Sequence, residues 1–145
     1  MKVLAQNKSA FHDYEILDRF EAGLVLTGAE IKAIRAGKIR LDGSYARFLG
    51  ATAEAELFVV NLHLGIEPGD PTRTRKLLMH RRELDKLRGQ TEAKGLTLVP
   101  LTLGLSRGNA KLEIGLGRGL KIYDKRAKLR KKAIDRDVER DFRGK

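Results

Sequence analysis

Two clusters of basic side chains give the clearest indication in this sequence of a ligand and its chemical class. Guanidinium groups make bidentate hydrogen bonds to phosphates or stack on bases, and ammonium groups supply a point charge. One surface cation is usually only solvated, but two dense clusters in one half of a chain favour a polyanionic ligand. The loop cluster comprises Arg73, Arg75, Lys76, Arg81 and Arg82. The tail cluster begins near Gly119 and comprises Lys121, Lys125, Arg126, Lys128, Arg130, Lys131 and Lys132.

The charge of the chain is concentrated in its second half. The formal net charge is +11 and the sequence pI is about 10.1. Residues 1–69 hold 8 Lys/Arg against 9 Asp/Glu, whereas residues 70–145 hold 22 against 10. Such a surplus is typical of nucleic-acid-binding proteins. A merely solvated surface and an anionic membrane are the alternatives.

Catalytic and metal-binding arrangements are missing from the sequence. The absence of cysteine excludes disulfides, thiolate catalysis and the usual zinc fingers. No two of His12, His63 and His80 have the spacing of a helical zinc site. His63 lies in an apolar strand, where a packed or paired role is typical, and His80 is a candidate for RNA contact or helix capping. The sequence therefore predicts no enzyme, no metal and no cofactor.

No targeting or membrane segment is predicted. The first residues, MKVLAQNKSAFHDY, lack an apolar run long enough for a signal peptide, and no 18 apolar residues occur together. A cytoplasmic location is expected by default.

Hydrophobic periodicity predicts a mostly β body. Ala110, Leu112, Ile114 and Leu116 alternate with polar or glycine positions, which indicates a strand with one wet face. In residues 96–105 the leucine alternation slips at Val99-Pro100, which predicts a bulge or an edge position. Such strands fit a small curved sheet or barrel. Further strands are predicted at Tyr14–Phe20, Leu24–Thr27, Ser44–Gly50 and Glu56–Leu64, of which the first two are joined through Ala22-Gly23. Two helices are predicted, at Ala29–Ala36 and His80–Lys94. The first of them has Ile31 and Ile34 on its apolar face.

The chain is expected to divide into a body, residues 1–122, and a tail, residues 123–145. From Asp124 to Lys145, 15 of 22 residues are charged, and Ile134, Val138 and Phe142 recur every four residues. This apolar stripe is too thin to bury much surface, so we expect the tail to be disordered when free and to fold on binding. Within the body, the loop at residues 65–75 is long for a compact domain and is therefore functional or mobile.

Several motifs in order resemble the SmpB (small protein B) family, the protein partners of transfer-messenger RNA (tmRNA). They are Asn7-Lys8, FEAG at 20–23, GAEIKAIRAGK at 28–38, DPTRTRKLLMHRREL at 70–84, KGLTLVPL at 94–101 and DKR at 124–126. The resemblance implies a small antiparallel OB-like β-barrel with two to three flanking helices and a basic tail. It also implies that the body binds the tRNA-like domain of tmRNA and escorts it to stalled ribosomes for trans-translation.

The resemblance also implies which residues contact tmRNA. Asn7, Glu21 and Leu78 match positions that the family uses, and Lys8, His12, Lys32, Arg35, Lys38, Arg73 and Lys76 are expected as neighbours. From the residues alone, Glu21 could equally be a hairpin-turn residue, and Leu78 would usually belong to the core.

The tail is implied to act on the ribosome, at the small-subunit decoding centre and in the mRNA channel. Tyr123, Asp124, Lys125 and Arg126 match the decoding-centre segment, and Lys128, Arg130, Lys131 and Lys132 follow. Tyr123 occupies the position where some members carry His. A tyrosine can stack on a base as a histidine can, but it brings no positive charge, so stacking is the role expected of Tyr123. A monomer with no membrane partner is expected. A structural ribosomal protein and a membrane-surface protein are the competing interpretations, although tail acids such as Asp135 and Glu139 would repel anionic lipid.

Overall fold

A computed structural model describes residues 1–50, 54–94 and 96–120 of the chain. Its helices are α1 (Lys8–Asp13), α2 (Gly28–Arg35) and α3 (Arg81–Lys94). Its strands are β1 (Lys2–Gln6), β2 (Tyr14–Leu24), β3 (Ile39–Arg40), β4 (Tyr45–Leu49), β5 (Glu56–Val60), β6 (His63–Leu64), β7 (Arg75–Leu78), β8 (Thr97–Ser106) and β9 (Asn109–Gly119).

Six antiparallel strands close into a barrel, in the order β8-β4-β5-β7-β2-β9 and back to β8. Strand β8 makes the closure possible because one of its edges is shared between two neighbours. Leu98 pairs with Ala46 of β4, whereas residues 102–105 pair with β1. The other edge of β8 pairs with β9 along its length. The predicted mostly β, OB-like barrel is therefore confirmed.

The main core fills the barrel with alternate residues of its strands. Leu57 and Val59 of β5 and Leu112 and Ile114 of β9 are fully buried. Leu87 of α3 is also fully buried in this core. Each buried aliphatic side chain of this size contributes about 1.5–3 kcal/mol, so the core fixes which face of each strand points outward.

A second, smaller core explains the slip in the leucine alternation. Val99 and Leu101 of β8 point away from the barrel interior and pack with Ala10 of α1. The register of β8 against β9 then shifts between Pro100 and Thr102, which returns Leu103 to the main core. The bulge predicted from the sequence is thus confirmed. It allows one strand to serve both cores.

The second core also corrects the prediction of one wet face on β9. Gly115 and Gly117 are buried, since the side chains of the second core lie against them. A Cβ on Gly115 would lie 2.9 Å from Leu101 Cδ1, and one on Gly117 would lie 3.1 Å from Tyr14 Cβ. In the first half of the strand, Asn109, Lys111 and Glu113 face outward without that cover.

Other element boundaries differ from the predictions. Strand β2 runs unbroken through Ala22-Gly23, so the predicted two strands joined there are wrong. The predicted strand Glu56–Leu64 is interrupted at Asn61, whose φ of 60° turns the chain between β5 and β6. Helix α1 was not predicted because six residues show too little periodicity. In α2 the fully buried residues are Glu30 and Ile34, whereas Ile31 is half-buried.

Candidate nucleic-acid interface

The outer surface of β2 and β7 brings together three of the residues predicted to contact RNA. Gly23 pairs with Leu78 in the register of these strands, and Glu21, Lys76 and Leu78 all point away from the core. Gly23 leaves room beside Leu78, because a Cβ there would lie 3.5 Å from Leu78 Cβ. We call this surface, defined by Glu21, Gly23, Lys76 and Leu78, the β2–β7 face.

Both alternatives left open for this face are wrong. Leu78 is not a core residue, since it is 52% exposed and has the largest exposed fraction among the large apolar side chains of the described residues. Glu21 is not in a turn, since it pairs with Glu113 in the middle of β2. A shallow groove beside the face adds Met79, His80, Glu83 and Lys111. The β2–β7 face therefore offers an acceptor, an apolar contact and cations on one surface.

Helix α2 presents a second group of predicted residues. Lys32 and Arg35 are exposed on the helix, and Lys38 is exposed just after it. The helix starts with a capping box: Glu30 N–H donates to Thr27 Oγ1 at 3.3 Å, and Thr27 N–H donates to Glu30 Oε1 at 2.8 Å. Together with Gly65, Ile66 and Glu67, Lys32 and Lys38 line a broad open groove.

A buried ion pair joins α2 to β7. Glu30 and Arg75 are both fully buried, and Arg75 Nε donates to Glu30 Oε2. Arg75 Nη1 also donates to Leu62 O at 2.6 Å, and Nη2 to Pro71 O at 3.1 Å. One guanidinium therefore connects α2, the turn between β5 and β6, and the loop before β7. This network gives the long loop a fixed anchor.

Arg73 extends the network to the surface. Its Nη2 donates to Glu30 Oε1 at 2.7 Å and lies 3.5 Å from Val25 O, and its side chain is 43% exposed. Val25 N–H in turn donates to Lys76 O at 3.0 Å. Arg73 thus links α2, through Glu30, to the segment that follows β2, through Val25.

Electrostatics keep Glu30 ionised in this network. Burial by itself raises the pKa of Glu30, but hydrogen bonds from Arg73, from Thr27 N–H and from Arg75, together with the charge of Arg75, outweigh it and lower the pKa to about 2. The hydrogen bond to Glu30 raises the pKa of Arg73 further above its already high usual value. Glu30 and Arg73 are therefore both charged.

The loop cluster is only partly available to a ligand. Arg75 is fully buried, so its inclusion among ligand-binding cations is wrong. Arg81 donates from both Nη1 and Nη2 to Ala55 O, at 2.9 and 3.0 Å, which ties it to the barrel rim. Lys76 makes an ion pair of 3.0 Å with Glu56, and Arg82 is exposed.

Asn7 is buried, and its side chain makes hydrogen bonds within the protein. It is 4% exposed, its Oδ1 accepts from Ala10 N–H at 3.2 Å, and its Nδ2 donates to Pro100 O at 2.9 Å. It therefore caps α1 and ties that helix to β8. Lys8 and His12, one helical turn apart, are exposed on α1. Helix α1 packs against β2 and β8.

Two residues that organise the site, Glu30 and its partner Arg75, were not recognised as a pair from the sequence. Glu30 was not singled out, although Thr27 and Glu30 form the T-x-x-E pattern of a capping box, which was available as a signal. Nothing local could have revealed its partner Arg75, which lies 45 residues away. The predicted tail residues Tyr123, Asp124, Lys125, Arg126, Lys128, Arg130, Lys131 and Lys132 lie outside the described residues.

Comparison with known proteins identifies the family. The family model described as SmpB protein matches residues 4–144. The chain belongs to the SmpB family. The SsrA-binding protein of Anoxybacillus flavithermus is 52% identical over 98% of this chain and 94% of its own length. The SsrA-binding protein of Bacillus subtilis is 51% identical over 98% of this chain and 92% of its own.

A solved structure supports the same assignment at the level of the fold. A chain from "tmRNA-SmpB: a journey to the center of the bacterial ribosome" superimposes with a TM-score of 0.67 at 46% identity. The match covers 87% of this chain and 94% of that one. Within residues 1–50, 54–94 and 96–120, no helix is long and apolar enough to cross a membrane. No cluster of three or more His, Asp or Glu in those same ranges could hold a metal ion.

Proposed function

We propose that this chain binds the tRNA-like domain of tmRNA and delivers it to stalled ribosomes for trans-translation, the rescue and peptide-tagging pathway. The observation that carries the proposal is the near full-length identity of about half to proteins named SsrA-binding protein, with a fold match to a tmRNA–SmpB chain. The proposed role is binding, and no catalytic step is assigned to the chain. A cytoplasmic site of action and a monomeric state follow from this proposal.

The β2–β7 face and α2 are the proposed tmRNA interface. Lys32, Arg35, Lys38 and Arg73 supply cations for phosphates, of which the guanidinium groups are suited to bidentate contacts. The carboxylate of Glu21 accepts from base amino groups or 2′-hydroxyls, and Leu78 gives an apolar contact to an unpaired base. The side-by-side placement of these groups supports the proposal.

Residues of the N-terminal helix have two different proposed roles. Asn7 holds α1 against β8 and acts on RNA binding through that placement, because its polar atoms are used inside the protein. Lys8 and His12 are free to contact RNA directly. Their surface extends the interface if the bound RNA wraps around the barrel.

The tail is proposed to act on the ribosome. Tyr123, Asp124, Lys125 and Arg126 are assigned to the decoding centre, with Tyr123 stacking on a base. Lys128, Arg130, Lys131 and Lys132 are assigned to rRNA phosphates along the empty mRNA channel.

A gel shift tests the proposal directly. Full-length protein and a version ending at residue 122 are titrated with tmRNA and with an ordinary tRNA. Both versions should prefer tmRNA, and the affinity should fall with salt with a log–log slope of about −0.7 to −0.9 per phosphate neutralised. Equal affinity for the two RNAs would contradict the proposed function.

A further inference from the structure

The outer surface of β4 and β5 is an open sheet face with aromatic side chains. Tyr45 pairs with Val60, and Arg47 pairs with Phe58, so these four side chains share the side of the sheet that points away from the core. Tyr45 is 36% exposed, and Phe58 is half-buried outside both core clusters. We call the surface formed by Tyr45, Arg47, Phe58 and Val60 the β4–β5 face.

Charge on this face favours an anionic ligand. Arg47 is exposed, and no hydrogen bond or ion pair to it occurs among the described residues. The acid on the neighbouring outward position, Glu56, is already paired with Lys76 at 3.0 Å. The face therefore places an exposed guanidinium, which has no ion pair among the described residues, next to two aromatic rings.

The β4–β5 face continues into the proposed tmRNA interface. Phe58 pairs with Lys76 of β7, and Lys76 belongs to the β2–β7 face beside Leu78. Neighbouring strands lie about 4.8 Å apart, so Lys76 and Arg47 are two strand spacings, roughly 10 Å, from one another. A nucleic-acid strand held at Leu78 and Lys76 meets Phe58 and Arg47 next, without crossing any buried surface.

We propose that the β4–β5 face is a stacking platform for unpaired nucleotides of the RNA bound at the β2–β7 face. Tyr45 stacks on a base, Phe58 supports that ring from the next strand, and Arg47 binds the adjoining phosphate. This inference rests on the proposed function and adds a subsite to it. Stacking accepts any base, so the platform lengthens the bound segment without adding sequence specificity.

Fluorescence of a single tryptophan tests stacking at this place. The chain has no Trp, so Tyr45→Trp gives one reporter on the face, and Leu17→Trp gives a matched reporter at a 49% exposed position of β2. Addition of tmRNA should quench the emission of Tyr45→Trp by stacking and leave that of Leu17→Trp nearly unchanged. The proposal is overturned if tmRNA does not quench the emission at position 45, or if it quenches both positions equally. The first outcome is also the one expected if a protein partner, and not RNA, covers this face.

Affinity measurements separate this inference from the proposed function. Tyr45→Ala should weaken tmRNA binding about tenfold, whereas Tyr45→Phe, which keeps the ring, should stay within about twofold of the wild type. If Tyr45→Ala binds as the wild type does while Leu78→Ala is weakened, the platform is refuted and the proposed function stands. If wild-type protein shows no preference for tmRNA over tRNA, the proposed function itself fails.

Discussion

Burial separates residues that look alike in the sequence. Arg73 and Arg75 are two positions apart, but Arg73 reaches the surface and Arg75 is enclosed by Glu30 and backbone carbonyls. Likewise, Leu77 is 1% exposed and Leu78 is 52% exposed, because successive strand residues point to opposite faces. On β2 and β7, the residues proposed to touch RNA are therefore those at outward positions.

Leu78→Ala should weaken tmRNA binding without destabilising the protein. The side chain is half exposed, so we expect the free energy of unfolding to change by less than about 0.5 kcal/mol, while loss of an apolar contact at the RNA interface lowers the affinity roughly tenfold. Gel shift and urea denaturation measure the two effects. Val3→Ala removes a comparably exposed side chain from β1 and should change neither. A binding loss matched by an equal loss for Val3→Ala would argue against a localised interface.

Elements are held in place by a few long-range polar contacts. Glu30 belongs to the first turn of α2, yet its carboxylate is shared with Thr27, Arg73 and Arg75. The orientation of the α2 cations is thereby coupled to the loop and to β7. Loss of the carboxylate would leave the Arg75 charge buried without a partner, which costs about 3–5 kcal/mol.

The stability of the protein should depend on the ionisation of Glu30. Its pKa is lowered on folding from 4.5 to about 2, so the stabilisation is fully present above pH 4.5 and is lost as the pH falls towards 2. A shift of this size corresponds to about 3 kcal/mol. Urea denaturation at pH 5 and pH 3 measures the loss. Glu30→Gln should be less stable at pH 5 and should lose less on acidification than Glu67→Gln, an exposed control. Parallel curves for the two variants would rule out this role of Glu30.

The contact between β9 and the second core leaves no space for a side chain at Gly115. A Cβ there would lie 2.9 Å from Leu101 Cδ1 and 3.2 Å from Ile16 Cγ2. Gly115→Ala should therefore destabilise the protein by about 1–3 kcal/mol through overpacking. On the same strand, Gly119 has no heavy atom within 4 Å of such a Cβ, so Gly119→Ala is the control. Thermal unfolding compares them, and equal melting temperatures would contradict tight packing of the second core against β9.

The whole molecule is proposed to divide its work between the barrel and the tail. Lys125→Ala combined with Arg126→Ala should leave tmRNA affinity within about twofold and abolish peptide tagging, because these cations are assigned to the ribosome. Glu21→Ala, by contrast, should weaken tmRNA binding itself, because Glu21 is assigned to the RNA interface of the barrel. Gel shift and a reconstituted tagging assay provide the measurements. If both variants lost tmRNA affinity equally, the two functions would not be separable.

Much of the fold was accessible from local patterns. The alternation of Leu112 and Ile114 and the slip at Val99-Pro100 were readable because a strand repeats every two residues. Barrel closure was implied only by the resemblance, since strand pairing joins residues as distant as Ala46 and Leu98. The short helix α1 was not predicted, because it is stabilised by the Asn7 cap and by packing on β8, and its sequence shows no clear helical periodicity.

Family membership, the mostly β class, the charge asymmetry and a set of candidate RNA-binding residues could all be inferred from the sequence. Which of these candidates face solvent became evident only from the folded structure. Glu21 and Leu78 lie side by side on one outer face, whereas Asn7 and Arg75 are enclosed. The physical reason is that exposure depends on which strand or helix is packed opposite a residue, and that neighbour is set by contacts far apart in the chain.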